Sequence, residues 1–158
     1  MIRARVITCS DAASRGERED RSGPAVRELL ESRGYQTDGV VVPDEVDAIA
    51  GAIASAGTPL IVTTGGTGIA ARDVTPEATM RVCERVIPGF GELMRMRSLE
   101  KTPMASLSRA QAATLGQSLV LNLPGSPKGA VENLEAVLHL IPHALDLLGG
   151  NTKHPHDS

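Results

Sequence analysis

The residues with the most chemical content stand where apolar runs give way to turns. Leu60-Ile61-Val62 passes directly into Thr63-Thr64-Gly65-Gly66-Thr67-Gly68. Glycines lack a Cβ, so backbone N–H groups can converge and an anion can come close, and threonine hydroxyls add donors. A phosphate can be held this way without a large basic residue. No Gly-Lys-Ser/Thr follows, as a Walker A loop requires, and the run is not GxGxxG. A tight turn that needs glycine only for its own geometry accounts for the same residues without a ligand.

Asp73 follows Gly68 by five residues, and Asp44 follows Val40-Val41-Val42 and Pro43. Carboxylates beside a phosphate loop repel the phosphate unless a divalent cation lies between them. Mg2+ takes one or two carboxylates together with substrate phosphates, so Asp44, Asp73 and a polyphosphate form a coherent set. Both aspartates also read as helix caps. Asp44 suits that role, with Asp47 in a capping-box-like place; Asp73 suits it less, because Thr75 before Pro76 already fills the cap. Ser22-Gly23 before Pro24 and Ser126 before Pro127 present two further helix N-termini, each a place for an anion or an ordinary cap. Arg15, Arg18 and Arg21 alternate with Glu17, Glu19 and Asp20, which describes a solvated loop or a lid that touches phosphate. His139 and His143 have a spacing that can bind zinc, but no third ligand is evident and the glutamate of HExxH is missing. His154 and His156 read as solvated tail residues.

The elements that must position these residues alternate. Strands are expected at residues 5–9, 40–42, 60–62 and 118–123. Helices are expected from Pro24 to about Arg33, stopped by Gly34; from Asp44 to Ala56; from Thr75, ended by Pro88-Gly89; and over residues 90–100, before an irregular stretch to about Ser108. A last helix follows Pro127, with Ala130, Leu134, Val137, Ile141, Leu145 and Leu148 on one stripe, and Pro142 should kink or split it. Such alternation implies one α/β domain over residues 1–150, a largely parallel sheet with helices on both faces, and a polar tail over 151–158. In that architecture ligands bind beyond the carboxyl ends of the strands.

Composition removes several classes. Tyr35 and Phe90 are the only aromatics, so the core must be aliphatic and no stacking platform for single-stranded nucleic acid exists. The net charge of −3, with both signs mixed along the chain, gives no basic stripe for DNA or RNA. The first apolar run is too short for a signal peptide and no run is long enough to span a membrane. Cys9 and Cys83 form no CxxC pair and read as buried free thiols. A cytoplasmic protein is expected.

Four blocks, in order, resemble the MogA/MoaB molybdopterin-binding domain over nearly the whole chain to about Gly150. They are Ser10-Asp11 with Gly16, Asp20 and Ser22-Gly23-Pro24; Val42-Pro43-Asp44-Glu45; Thr63–Gly68 with Arg72-Asp73-Val74-Thr75-Pro76-Glu77; and Leu107-Ser108-Arg109 with Asn122-Leu123-Pro124-Gly125-Ser126-Pro127. Pro88-Gly89-Phe90-Gly91-Glu92 with Arg95 is closer to the MogA branch. Ala112 departs from the pattern, standing where the family usually has glycine, which puts a local turn in question.

The resemblance implies a three-layer α/β/α sandwich, a homotrimer, and Mg2+- and ATP-dependent adenylylation of molybdopterin. The product would pass to a MoeA-type molybdenum-inserting partner. On the matching positions it makes Asp44 and Asp73 the functional, metal-holding aspartates. It places Ser10, Asp11, Asp20, Ser22, Gly23, Thr64, Gly65, Gly66, Thr67, Gly68, Ser108, Arg109, Pro124, Gly125 and Ser126 around the substrates. Two other readings stand beside the enzyme: a MoaB-type protein that binds molybdopterin without transferring AMP, and an assembly module. Asp44 and Asp73 together favour the enzyme; a short chain with no linker disfavours a scaffold. Without the resemblance, the residues describe a nucleotide-dependent transferase of unknown substrate.

Overall fold

A computed structural model describes residues 1–151. Four strands run parallel: β1 (Arg3–Cys9), β2 (Gln36–Val42), β3 (Leu60–Thr64) and β6 (Ser118–Leu123). Two short antiparallel strands, β4 (Arg85–Val86) and β5 (Ala112–Leu115), extend one edge, giving the order β2-β1-β3-β6-β5-β4. Side chains alternate across the sheet. Ala4, Val6, Leu60, Val62, Leu119 and Leu121 face one side, where α2 (Ser22–Ser32), α5 (Pro88–Leu99), α6 (Pro127–Val137) and α7 (Ile141–Leu148) bury Leu30, Met94, Leu134 and Ile141 against them. Ile7, Cys9, Ile61 and Val120 face the other, beneath Ile49 and Ile53 of α3 (Val46–Ala54) and Ala78 of α4 (Thr75–Val82). The result is the expected three-layer sandwich. Each fully buried Leu or Ile stabilises the fold by roughly 1.5–3 kcal/mol, which is how a chain with two aromatics sustains two cores.

Several local expectations are corrected. β2 begins four residues before Val40 and is an edge strand; Val40 and Val41 are exposed rather than covered. Asp44 does not cap α3, which starts at Val46 after Glu45 with no side-chain cap, because the Asp44 carboxylate is engaged by the loop after β1. Thr75 lies inside the first turn of α4, and its hydroxyl donates to the Gly65 carbonyl instead. Pro88-Gly89 does not end α4. That helix stops at Val82, the chain extends through Cys83 into β4, and Pro88 opens α5, where its missing N–H costs nothing. Ser22 is already helical, and Asp20 supplies the cap by accepting from the Gly23 N–H at 3.0 Å. Ala112 occupies β5 opposite Leu121, fully buried, so no turn falls there.

Other features follow the sequence. Gly34, at φ +90°, ends α2 as its position required. Ser126 caps α6 by accepting from the Gly129 N–H at 3.1 Å. The last helix divides into α6 and α7 around a 3-10 turn at Leu138–Leu140, with Pro142 in the first turn of α7. A single turn, α1 (Asp11–Ser14), was not foreseen; Ser10 caps it through the Ala13 N–H. The tail expected over 151–158 lies outside the described residues from 152 onward, His154 and His156 included. Among the described residues no helix is long and apolar enough to cross a membrane.

Candidate functional site

β1 hands the chain to β2 on one side, while β3 leads toward β6 on the other. The connections therefore diverge between β1 and β3, which opens a crevice beyond their carboxyl ends. A cavity of about 680 Å3 occupies that position. Thr8, Cys9 and Ser10 line it at the end of β1, Thr64, Gly65 and Gly66 at the end of β3, Asp44 beyond β2, and Gly125 and Ser126 beyond β6.

The glycine turn is dictated by close approach. Gly65 and Gly66 adopt φ of +101° and +71°, a region that costs other residues energy. A Cβ on Gly65 would lie 2.3 Å from the Cys9 carbonyl oxygen; one on Gly66 would lie 2.3 Å from the Thr75 hydroxyl and 3.4 Å from Asp44 Oδ1. A Cβ on Gly125 would come within 3.2 Å of the Gly65 Cα. Hydrogen bonds sew the turn to its neighbours: Thr64 Oγ1 donates to the Pro124 carbonyl at 2.7 Å, and the Gly65 N–H donates to the Leu123 carbonyl at 3.0 Å. Pro124 thus contributes through its carbonyl. The tight-turn reading is correct as far as it goes, and the turn it explains forms the floor of the crevice.

Asp44 and Asp73 both line the cavity. Asp44 Oδ2 accepts from the Asp11 N–H at 2.9 Å, and Asp73 Oδ2 accepts from the Ala70 N–H at 3.0 Å. The Oδ1 atom of each has no hydrogen-bond partner among the described residues. Burial pushes the Asp44 carboxyl above its ordinary value, and the charges of Asp11 and Asp73 push it the same way. A cation held by both carboxylates would relieve that repulsion. Two carboxylates with one unclaimed oxygen each fit Mg2+, whose remaining positions go to water and phosphate. Among the described residues no group of three or more His, Cys, Asp or Glu is placed to hold a metal.

Other expected site residues divide into those facing the cavity and those supporting it. Ser10, Asp20 and Ser22 line it, as do Arg18 and Arg21 of the arginine-rich loop. Asp20 also ties that loop down, accepting from the Thr8 hydroxyl at 2.8 Å and from the Gly23 N–H. Gly23 is confined beneath them: its Cβ would lie 2.5 Å from both Asp20 Oδ2 and Thr8 Oγ1. Asp11, Gly23, Thr67, Gly68, Arg109 and Pro124 do not line the cavity. Arg109 donates to the carbonyls of Gly68 and Asp73 at 2.9 and 2.7 Å and pairs with Glu77, so its guanidinium holds the loop that carries Asp73. Its own N–H donates to the Thr67 carbonyl at 2.8 Å, and a Cβ on Gly68 would come within 2.7 Å of Asp73 Oδ2.

Ser108 opens instead onto a second cavity of about 400 Å3, between α5 and the start of α6, lined also by Arg95, Lys101 and Lys128. Ser126 lines both cavities. The sequence reading gave no role to Arg95, which fixes the Ser108 segment through the Ala110 carbonyl at 2.8 Å, nor to Arg72, which clamps Asp11. No local spacing signals either contact, since each depends on pairing across the fold.

A three-layer sandwich with an acidic, glycine-floored crevice at its switch point defines an α/β protein with a ligand-sized site beyond its parallel strands. Residues 5–143 match the family described as the probable molybdopterin binding domain, and the chain belongs to that family. It is 47% identical over 153 residues to a molybdopterin adenylyltransferase of Helicobacter pylori, covering 92% of this chain and 87% of the relative. Against the molybdopterin adenylyltransferase of Escherichia coli K12 the identity is 42%, over 86% of this chain and 73% of the relative. The fold superposes on the crystal structure of the molybdopterin biosynthesis enzyme MoaB of Thermus thermophilus with a TM-score of 0.88 and 49% identity, over 95% of this chain and 98% of that one.

Proposed function

We propose that this protein adenylylates molybdopterin in molybdenum cofactor biosynthesis, using ATP and Mg2+. The observation that carries the chemistry is the placement of Asp44 and Asp73, each with one unclaimed carboxylate oxygen, at a crevice floored by the Gly65-Gly66 turn. The identity to adenylyltransferases over nearly the full chain supplies the substrates.

In this reading a phosphate oxygen of molybdopterin attacks the α-phosphorus of ATP. The bond from that phosphorus to the bridging oxygen breaks, and pyrophosphate leaves with the electron pair. Such a transfer needs positioning and charge neutralisation rather than a covalent protein intermediate. Asp44 and Asp73 would hold Mg2+, which supplies neutralisation of the reacting phosphates. The turn at Gly65-Gly66 sets how near a phosphate can come to the strand ends. Arg18 and Arg21 hang over the same cavity and would meet the outer phosphates. Two substrates need two adjoining spaces, and the cavities that share Ser126 provide them.

A homotrimer and delivery of the product to a MoeA-type protein complete the proposal; the exposed apolar side chains of Met96, Leu99, Met104 and Leu107 offer surface for such contacts. Two free cysteines suit a reducing cytoplasm.

The test is pyrophosphate release from ATP and Mg2+, with and without molybdopterin, for the wild type and Asp73→Ala. Pterin-dependent release that falls at least 100-fold in the variant, with pterin still bound, is expected when an electrostatic group of this kind is lost. Tight pterin binding with no release by the wild type would refute the transferase and leave a binding protein.

A further inference from the structure

Three loops, one after each of the first three strands, meet at the carboxylate of Asp11. The loop after β1 supplies Asp11 itself. The loop after β2 supplies Asp44, whose N–H donates to Asp11 Oδ1 at 2.9 Å while its Oδ2 accepts from the Asp11 N–H at the same distance. The loop after β3 supplies Arg72, whose Nε and Nη2 donate to Asp11 Oδ2 and Oδ1 at 2.9 and 2.8 Å. This fork-to-fork contact fixes direction as well as distance. The reciprocal pair leaves Asp44 one way to point: Oδ2 is taken and Oδ1 faces the Gly66 turn, 3.4 Å from where a Cβ would stand on that glycine. Arg72 is the residue before Asp73. Asp11 therefore joins Asp44 by hydrogen bonds to Arg72, 61 residues along the chain, and through its backbone to the loop that carries Asp73.

We infer that the Asp11–Arg72 ion pair is a positioning device for divalent-cation binding, holding the carboxylates of Asp44 and Asp73 at a fixed separation; this rests on the reading of those two residues as the metal ligands. Asp11 then belongs outside the substrate contacts that the family resemblance implies for it. Neither residue faces the cavity alone with a free group: the Asp11 carboxylate is fully engaged, and Arg72 is 60% exposed and turned to Asp11. An exposed ion pair adds little to folding stability, so its consequence lies in orientation. Groups that orient metal ligands from behind typically change metal affinity 10- to 100-fold when removed.

The test uses Mn2+ with α,β-methylene-ATP, read by water-proton relaxation on addition of the full-length protein, beside binding of the same nucleotide in EDTA. Arg72→Met is expected to weaken the Mn2+–nucleotide complex about tenfold while metal-free nucleotide binding stays within about twofold. Arg72→Lys, which keeps the charge but not the fork, falls between Arg72→Met and the wild type. The double variant Asp11→Asn with Arg72→Met is no weaker than the worse single variant, because both remove one coupled contact. Circular dichroism melts monitor the fold. An unchanged Mn2+ complex in Arg72→Met overturns the inference while leaving Asp44 and Asp73 as ligands. Equal losses with and without Mn2+ overturn it too, in favour of a general loop anchor. A wild type that binds the nucleotide equally in Mn2+ and EDTA removes the metal reading itself, and the positioning role with it.

Discussion

Gly65→Ala measures how far the crevice floor is built by contact rather than by backbone preference. Two effects add at that site. Forcing alanine into a left-handed conformation costs about 1–2 kcal/mol at a φ of +101°. The new Cβ would also stand 2.3 Å from the Cys9 carbonyl oxygen, so β1 and the turn must separate by about 1 Å to restore an ordinary carbon–oxygen contact. The carbonyl belongs to the backbone of β1, and the turn is hydrogen-bonded to the end of β6, so neither yields as a side-chain tip would. Together the cost is about 3 kcal/mol. Gly57→Ala is the control: its φ is +66° and nothing lies within 4 Å of its Cβ position, so only the conformational term applies, about 1 kcal/mol. With roughly 2–4 °C lost per kcal/mol in a domain of this size, Gly65→Ala should melt about 4–8 °C below Gly57→Ala. Far-UV circular dichroism is the appropriate probe, because the chain has no tryptophan. Equal melting temperatures would show that β1 and the turn do not press together as described, and the geometric account of the crevice would fail.

Two further outcomes are expected besides the Asp73 and Arg72 experiments. Ser126→Ala removes the side-chain acceptor for the Gly129 N–H and should lower the unfolding free energy by about 1 kcal/mol in urea, with an unchanged slope; no loss would mean that the first turn of α6 is held otherwise. Burial pushes the Cys9 thiol up to about 12 and the Cys83 thiol up to about 11, so both should react slowly with a disulfide reagent at pH 8, where little thiolate forms. Cys83, partly exposed, should react before buried Cys9, and unfolding should bring both to the rate of free cysteine; a faster Cys9 in the native protein would contradict its burial.

Local signals made much of the parallel half of this fold legible. The apolar runs of β3 and β6, the glycine after α2 and the Ser126-Pro127 start of α6 each carry their meaning within a few residues. The antiparallel edge did not, because β4 has two residues and β5 four, too short for alternation to show. Pro88 misled for a related reason: a proline ends one helix or begins another, and only the strand between Cys83 and Ile87 decides which. At the site, Asp44 and Asp73 were legible as carboxylates near a glycine-rich turn. The oxygens left free on them were not, since these depend on which backbone N–H each carboxylate accepts, that of Asp11 from a distant loop for Asp44 and that of Ala70 in its own turn for Asp73.

The charges that line the crevice make its interior acidic. Four acids line the cavity, Glu19, Asp20, Asp44 and Asp73, against two arginines, Arg18 and Arg21, and Arg21 lies 3.6 Å from Glu19. The formal charge of the lining is therefore −2. Three more arginines sit close by, but their guanidinium groups are turned to protein: Arg72 to Asp11, Arg95 to the Ala110 carbonyl, and Arg109 to the Asp73 loop. None of the three lines the cavity, and its interior stays acidic. A polyphosphate brought into such a space meets repulsion unless a divalent cation accompanies it. The requirement for Mg2+ in the proposed reaction therefore begins with entry of the nucleotide, before any bond at the α-phosphorus changes, and nucleotide affinity should depend on the cation even where no pterin is present.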